Sequence, residues 1–173
     1  MTDYDKAPMV TSSFRDHETA EHAYSDLRSR GYSDHDIHVM MSDDTRKRIG
    51  GKDLKIEHGN KAMEGAGLGG AVGGAVGATI LGLMAAASTV AIPGIGLVVA
   101  GPLAGALTGG AAGAAAGGLL GTLVGMGIPE ERAKVYEKDL KEGSIVLGVR
   151  PKNDNDAQYF ENEWRNTGVH VYR

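Results

Sequence analysis

The chain has no cysteine among its 173 residues, and only one Trp, six Tyr and two Phe. The absence of cysteine excludes disulfide bonds, thiol catalysis and cysteine-ligated zinc. Charge is missing locally, since all 18 Lys and Arg and all 22 Asp and Glu lie outside residues 65–129, which also contain no aromatic side chain. This contrast predicts a boundary between two polar flanks and an apolar central segment.

The net charge of the chain is mildly negative, at −4. Nucleic acid is therefore not expected as a partner, because phosphate binding needs a basic surface. The first residues, MTDYDK, are polar and acidic, so we expect no secretory signal. One basic stretch fits either a solvated surface or a segment beside a membrane. Its cations are Arg46, Lys47, Arg48, Lys52, Lys55 and Lys61.

The flanks carry the patterns of a small α+β domain. The N-terminal flank predicts a strand over 9–14, a helix capped by Asp16 and ended by Gly31, and a strand over 37–41. The C-terminal flank predicts a helix over 129–142, a strand over 144–150, a helix over 153–166 and a strand over 169–172. Neither flank alone has enough strands for a stable sheet. We therefore predict a ferredoxin-like sandwich, β-α-β … α-β-α-β, formed jointly by residues 1–64 and 129–173, with helices on one face.

Glycine dominates the central segment, where 20 of the 27 glycines lie. Many recur at every fourth position, which is one face of a helix, and such grooves without side chains allow close helix contacts. We predict helices over 65–87 and 101–127 with a turn at Pro93 between them, so that residues 65–128 form a glycine-rich α-helical hairpin that interrupts the sandwich. The predicted self-association residues are Gly65, Gly69, Gly73, Gly77, Gly101, Gly105, Gly109, Gly113, Gly117, Gly121 and Gly125.

The geometry of this repeat predicts a homo-oligomer. A period of four drifts by about 40° per step around a helix, so no single straight partner can contact every glycine. The two helices would be roughly 34 and 40 Å long, enough to cross a bilayer. We expect the hairpin to lie in the cytoplasmic membrane with the flanks in the cytoplasm, the alternative being a soluble cytoplasmic assembly. A flexible linker is disfavoured because aliphatic residues are abundant.

No group of residues indicates catalysis, so we expect no enzyme and predict no catalytic, cofactor-binding or metal-binding residue. Gly65, Gly67 and Gly70 match a dinucleotide fingerprint, but no strand precedes them. His35 and His38, with Asp34 and Asp36 beside them, have the spacing of a metal pair, but a metal site would need ligands from elsewhere in the chain. Strand alternation predicts that His38 is solvated.

The aromatic residues of the last predicted helix fit a structural role. Tyr159, Phe160 and Trp164 lie at spacings that suit the core and rim of one helix face.

Several segments resemble the YflT-type heat-induced general stress protein family. The N-terminal stretch SSFRDHETAEHAYSDLRSRGYSDHDIHVMM contains its Gly31-Tyr32 turn and its D-I-x-V strand at residues 36–39. The turn PGIGLVVAGP at 93–102 and the block GIPEERAKVYEKDLKEGSIVLGV at 127–149 are similar to longer bacterial relatives. The resemblance implies a role in bacterial stress responses and a glycine zipper, often described as membrane-spanning. It implies no reaction.

We therefore expect a non-enzymatic bacterial stress-response protein whose glycine-zipper hairpin drives self-association. Its partners would be other copies of itself and the lipid bilayer. The alternative is a soluble oligomeric ligand- or metal-sensing module with a ferredoxin-like receptor domain.

Overall fold

The computed structural model describes residues 9–50, 80–86, 89–92, 95–102, 104, 112–125 and 128–173. Within these ranges the chain is α+β, which confirms the predicted class. The six strands are β1 (Val10–Phe14), β2 (Ile37–Ser42), β3 (Thr89–Ile92), β4 (Leu97–Ala100), β5 (Ile145–Val149) and β6 (Val171–Tyr172). The six helices are α1 (His17–Ser29), α2 (Asp43–Gly50), α3 (Ile80–Ala86), α4 (Ala112–Gly125), α5 (Glu130–Lys141) and α6 (Asp154–Thr167).

The strands form one antiparallel sheet in the order β3-β4-β2-β5-β1-β6. Strand β5 lies between β1 and β2, so that Val146 is opposite Ser13 on one side and Met40 on the other. Strands β1 and β2 are therefore parallel to each other with β5 between them. This arrangement places strands from both flanks in a single sheet.

Helices cover both faces of the sheet, whereas the sequence predicted helices on one face. On the first face α1, α3 and α6 pack against strand residues such as Phe14 and Leu147. On the second face α4 and α5 pack against Met40 and Val146. The physical reason is that the second face also carries apolar side chains, Met40 of β2 and Val146 of β5, and two faces with apolar side chains each need a covering layer.

The first helix begins and ends where its local signals predict. The Asp16 carboxylate accepts hydrogen bonds from Thr19 N and Oγ1 at 2.7 and 2.6 Å, and these bonds lower the pKa of Asp16. After the helix, Gly31 has a φ of 80°, a left-handed conformation that glycine adopts without strain.

The residue after that glycine joins the two flanks. Tyr32 is buried, and its hydroxyl donates to Asp156 Oδ2 at 2.7 Å and accepts from Lys152 N at 2.9 Å. Its ring meets Phe160 edge to face with centroids 5.3 Å apart. The Gly31-Tyr32 turn thus anchors the end of α1 to the start of α6.

The central segment differs from the predicted hairpin. The stretch predicted as an interhelical turn contains β3 and β4, and β4 pairs with β2. Gly101, the first residue of the predicted second helix, is not itself helical, because its φ is 94°, although residues 102 and 104 are helical. The described helix α4 is interrupted by Gly118, with φ 60° and ψ −151°. One continuous helix over 101–127 is therefore wrong.

The predicted first helix of the segment is described only in its last part. Helix α3 covers Ile80–Ala86, and residues 65–79 lie outside the described ranges. The Glu21 carboxylate of α1 accepts from Ile80 N at 3.1 Å and so caps α3. Across the part of the chain that the structure describes, no helix has the length and apolarity needed to cross a membrane.

The first part of the basic stretch lies in α2. Arg46 and Lys47 both contact the Asp43 carboxylate, at 2.8 and 2.6 Å, which lowers the pKa of Asp43. Arg48 donates to Gly143 O at 3.3 Å. These three cations are thus engaged within the protein, and residues 51–61 lie outside the described ranges.

Replacing Gly101 by alanine should be severely destabilising. A Cβ there would lie 2.1 Å from Ile37 O, and the φ of 94° disfavours any side chain. We expect the free energy of unfolding in urea to fall by about 2–4 kcal/mol.

The matched control is Gly125→Ala in α4. A Cβ at that position meets no atom within 4 Å, so we expect a gain of up to about 1 kcal/mol. Equal effects of the two substitutions would contradict the close approach of Gly101 to β2.

Candidate functional site

The glycines predicted to mediate self-association do not share one environment. Gly113, Gly117, Gly121 and Gly125 lie in α4, before and after the break at Gly118. Because the break changes the direction of the backbone, these four glycines cannot form one straight groove. Six predicted positions lie outside the described residues: Gly65, Gly69, Gly73, Gly77, Gly105 and Gly109.

Gly101 lies close to the backbone of a strand and not to another helix. It follows β4 directly, and its Cα faces the carbonyl of Ile37 and the backbone of His38 in β2. The predicted contact between two helices is, at this position, a contact between a loop and a strand of the same chain.

The end of α4 presents an apolar surface to solvent. Val124 is 42% exposed, the one large hydrophobic side chain so exposed among the described residues. Gly118 and Gly125 are exposed as well, and a Cβ at either would meet no atom within 4 Å. This surface is uncharged and gives another backbone room to approach.

Near the break in α4 lies a cavity of about 320 Å³. It is bordered by Gly118 and Leu119 of α4, Leu140 of α5, and residues of the β3–β4 turn. Cavities of about 300–1,000 Å³ are typical of small-molecule sites, so this one is at the small end.

A buried carboxylate joins α5 to both ends of the chain. Asp139 is only 4% exposed. It accepts a 2.5 Å hydrogen bond from Ser13 Oγ of β1, and its Oδ2 lies 2.8 Å from His170 Nδ1 before β6. Serine, histidine and aspartate are thus together, but the carboxylate is between the other two. In acyl-transfer triads the imidazole is in the middle, so this order favours a structural role.

Two further residues of α5 hold the C-terminal strand. The buried Tyr136 hydroxyl donates to Thr11 Oγ1 at 2.6 Å, and burial raises the pKa of Tyr136, which keeps it protonated. Its ring meets Tyr172 edge to face at 5.7 Å. The Arg132 guanidinium lies 5.1 Å above the Tyr172 ring and donates to Arg173 O. Positions 132, 136 and 139 share one helix face, which contacts β1 and β6.

His38 corrects the expectation that it is solvated. It is on the face of β2 opposite Ile37, as predicted, but it is 2% exposed because α5 and its neighbours cover that face too. Burial, with the nearby positive charge of Arg150, lowers the pKa of His38 to about 4. Its predicted companion His35 is exposed, and the described ranges hold no cluster of three or more His, Asp or Glu suited to a metal ion.

The aromatic residues of α6 have the predicted structural role. Phe160 and Trp164 are fully buried, and Tyr159 is at the rim with the Arg30 guanidinium 3.2 Å from its ring centroid.

The chain matches no protein-family model, no curated protein and no solved structure.

Removing the Asp139 carboxylate should destabilise the fold. Asp139→Ala leaves the buried Ser13 hydroxyl without its acceptor and releases His170, so we expect the free energy of unfolding to fall by about 2–3 kcal/mol. Lys138→Ala, at a side chain 76% exposed on the same helix, should change it by less than about 0.5 kcal/mol. Similar losses in both variants, measured by urea unfolding, would show that Asp139 is not an anchor.

His38 should make stability depend on pH. The folded state binds this proton only near pH 4, while the unfolded state binds it near pH 6.5, the ordinary pKa of a solvated histidine. Between these values the unfolded state holds more protons, so stability falls as pH is lowered from 7 to 4, by about 3 kcal/mol from this group.

The measurement is the difference in unfolding free energy between pH 7 and pH 4 for the wild type and His38→Gln. The variant should lose less stability, by about 3 kcal/mol, because glutamine does not titrate. The exposed His35→Gln serves as control and should follow the wild type. A His38→Gln profile parallel to the wild type would contradict the burial of a neutral imidazole.

Proposed function

We propose that this chain is a non-enzymatic bacterial stress-response protein that self-associates through its glycine-rich segment. The observation that carries the proposal is the uncharged end of α4, where Val124 and Gly125 are both exposed, while Gly118 is exposed at the break seven residues before Gly125. An exposed apolar side chain beside bare glycine backbone gives another helix room for close contact. The stress-response part depends on the resemblance of the flanking segments to the YflT-type family.

For the flanks we propose a ferredoxin-like domain formed by residues 1–64 and 129–173. It is supported by the order β6-β1-β5-β2 within the sheet and by α1 and α6, which pack on the same face. The additional strands β3 and β4 extend the sheet beyond β2. Because β3 and β4 come from residues 65–128, that segment would be built onto the domain and not only inserted into it.

We further propose that the assembly forms at the cytoplasmic membrane, with the flanks in the cytoplasm. The support is the uncharged composition of residues 65–129. Any membrane-inserted portion would have to come from residues outside the described helices, since those are too short to span a bilayer.

A charge placed on the apolar end of α4 should reduce the assembly. In the Val124→Glu variant the new carboxylate is solvated in the monomer but would lose its water in a contact between helices of two copies. We therefore expect the mass of the assembly to fall by at least half. The experiment expresses the full chain in bacteria, extracts membranes with alkali, and measures mass by light scattering of the detergent-solubilised pellet and of the soluble fraction.

Lys138→Glu, an exposed charge change on α5, is the control and should leave the mass unchanged. A wild-type chain that is monomeric in both fractions would contradict self-association. Complete release by alkali with an intact oligomer would contradict only the membrane attachment.

A further inference from the structure

The cavity beside the break in α4 has a border of bare backbone. Gly96, in the turn between β3 and β4, has a φ of 69°, and Gly118 has a φ of 60°. Both line the cavity, and a Cβ at either would meet no atom within 4 Å. Two separate segments therefore present peptide groups, and no side chain, to the same space.

The rest of the wall is mostly apolar. Leu97 follows the turn, Leu119 follows the break in α4, and Leu140 is near the end of α5. Leu97 and Leu140 are each 1% exposed and belong to the core of this face of the sheet. The apolar lining side chains that remain accessible are Ile95, which is partly buried, and Leu119, which is 9% exposed, so a short aliphatic or aromatic group of a ligand would contact these two.

Two opposite charges complete the lining. Glu137 and Lys141, one turn apart on α5, are paired at 2.8 Å. The Glu137 side chain is 25% exposed and that of Lys141 64% exposed. Exposed pairs at this spacing are weak, so a ligand can separate them at little cost. The lysine ammonium also has three donors, of which glutamate uses one.

From this combination we propose that the cavity binds a free apolar α-amino acid, such as leucine or phenylalanine. The ligand carboxylate would bind Lys141 Nζ, its ammonium would bind the Glu137 carboxylate, and its side chain would pack on Ile95 and Leu119. A simple carboxylate would be repelled by Glu137 and a simple amine by Lys141, so only a zwitterion satisfies both charges. This inference does not depend on self-association.

The size of the cavity agrees with this class. Its 320 Å³ equals the liquid volume of about ten water molecules. A leucine or phenylalanine molecule has roughly nine to twelve non-hydrogen atoms and can be accommodated in that space.

The test titrates the full chain with L-leucine and L-phenylalanine by calorimetry and by NMR shifts of residues at the cavity. We expect saturable binding with a Kd of about 1 mM or tighter. Two ligand controls each lack one charge: 4-methylpentanoate has no ammonium and 3-methylbutylamine has no carboxylate. Each should bind at least about tenfold more weakly, in line with the loss of one charged contact.

Protein variants assign the binding to the cavity. Glu137→Gln and Lys141→Gln should each weaken leucine binding by about two- to fivefold, as expected for partly exposed ion pairs, and Leu119→Trp should abolish it by filling the space. Lys134→Gln removes the equivalent pair with Glu130, 2.7 Å apart on the same helix and not in the cavity lining, and should bind as the wild type.

Both glutamine substitutions are at partly or largely exposed side chains, so they test the proposal even if the tryptophan variant fails to fold. The proposal would be overturned if neither leucine nor phenylalanine shows saturable binding at concentrations up to tens of millimolar. Wild-type affinity in both Glu137→Gln and Lys141→Gln would overturn it as well, even if the wild type binds.

Discussion

The pairing of β5 with β1 on one side and β2 on the other is the interaction on which the rest of the fold depends. It joins segments that are more than a hundred residues apart in sequence. Strand β5 can do so because its side chains are apolar on both faces, with Leu147 in one core and Val146 in the other. Gly148 keeps the second face flat where Met9, Thr11 and His38 lie close to it. Once β5 is in place, each face needs its own helical layer.

The two layers differ in origin. Helices α1 and α6 come from opposite flanks and meet through the Tyr32 hydroxyl, which bonds to Asp156 in the first turn of α6 and to Lys152 just before that helix. Helix α4 belongs to the central segment and α5 follows it, and α5 secures the C-terminal strand through Asp139 and Tyr136. The glycine-rich segment is therefore connected to the sheet through β4 and, by way of α4, through α5. Its glycines serve different purposes, because Gly101 allows contact with a strand while Gly118 breaks a helix.

Elements with local signals could be predicted from the sequence to within a residue or two. The Asp16 cap and the end of α1 at Gly31 depend only on neighbouring residues, and the structure bears out both. Strands β3 and β4 could not be predicted in this way, because their place depends on pairing with β2. The grouping of Ser13, Asp139 and His170 also has no local signal. The burial of His38 depends on a second helical layer that strand alternation does not reveal.

Through β4, part of the glycine-rich segment forms one cooperative unit with the flanks. Native-state hydrogen exchange of the β4 amides measures this cooperativity, because β4 lies between β3 and β2 and is paired on both sides. We expect the amides of residues 97–100 to exchange with the same free energy of opening as those of Val146 and Leu147 in β5. Rapid exchange in β4 beside full protection in β5 would contradict it.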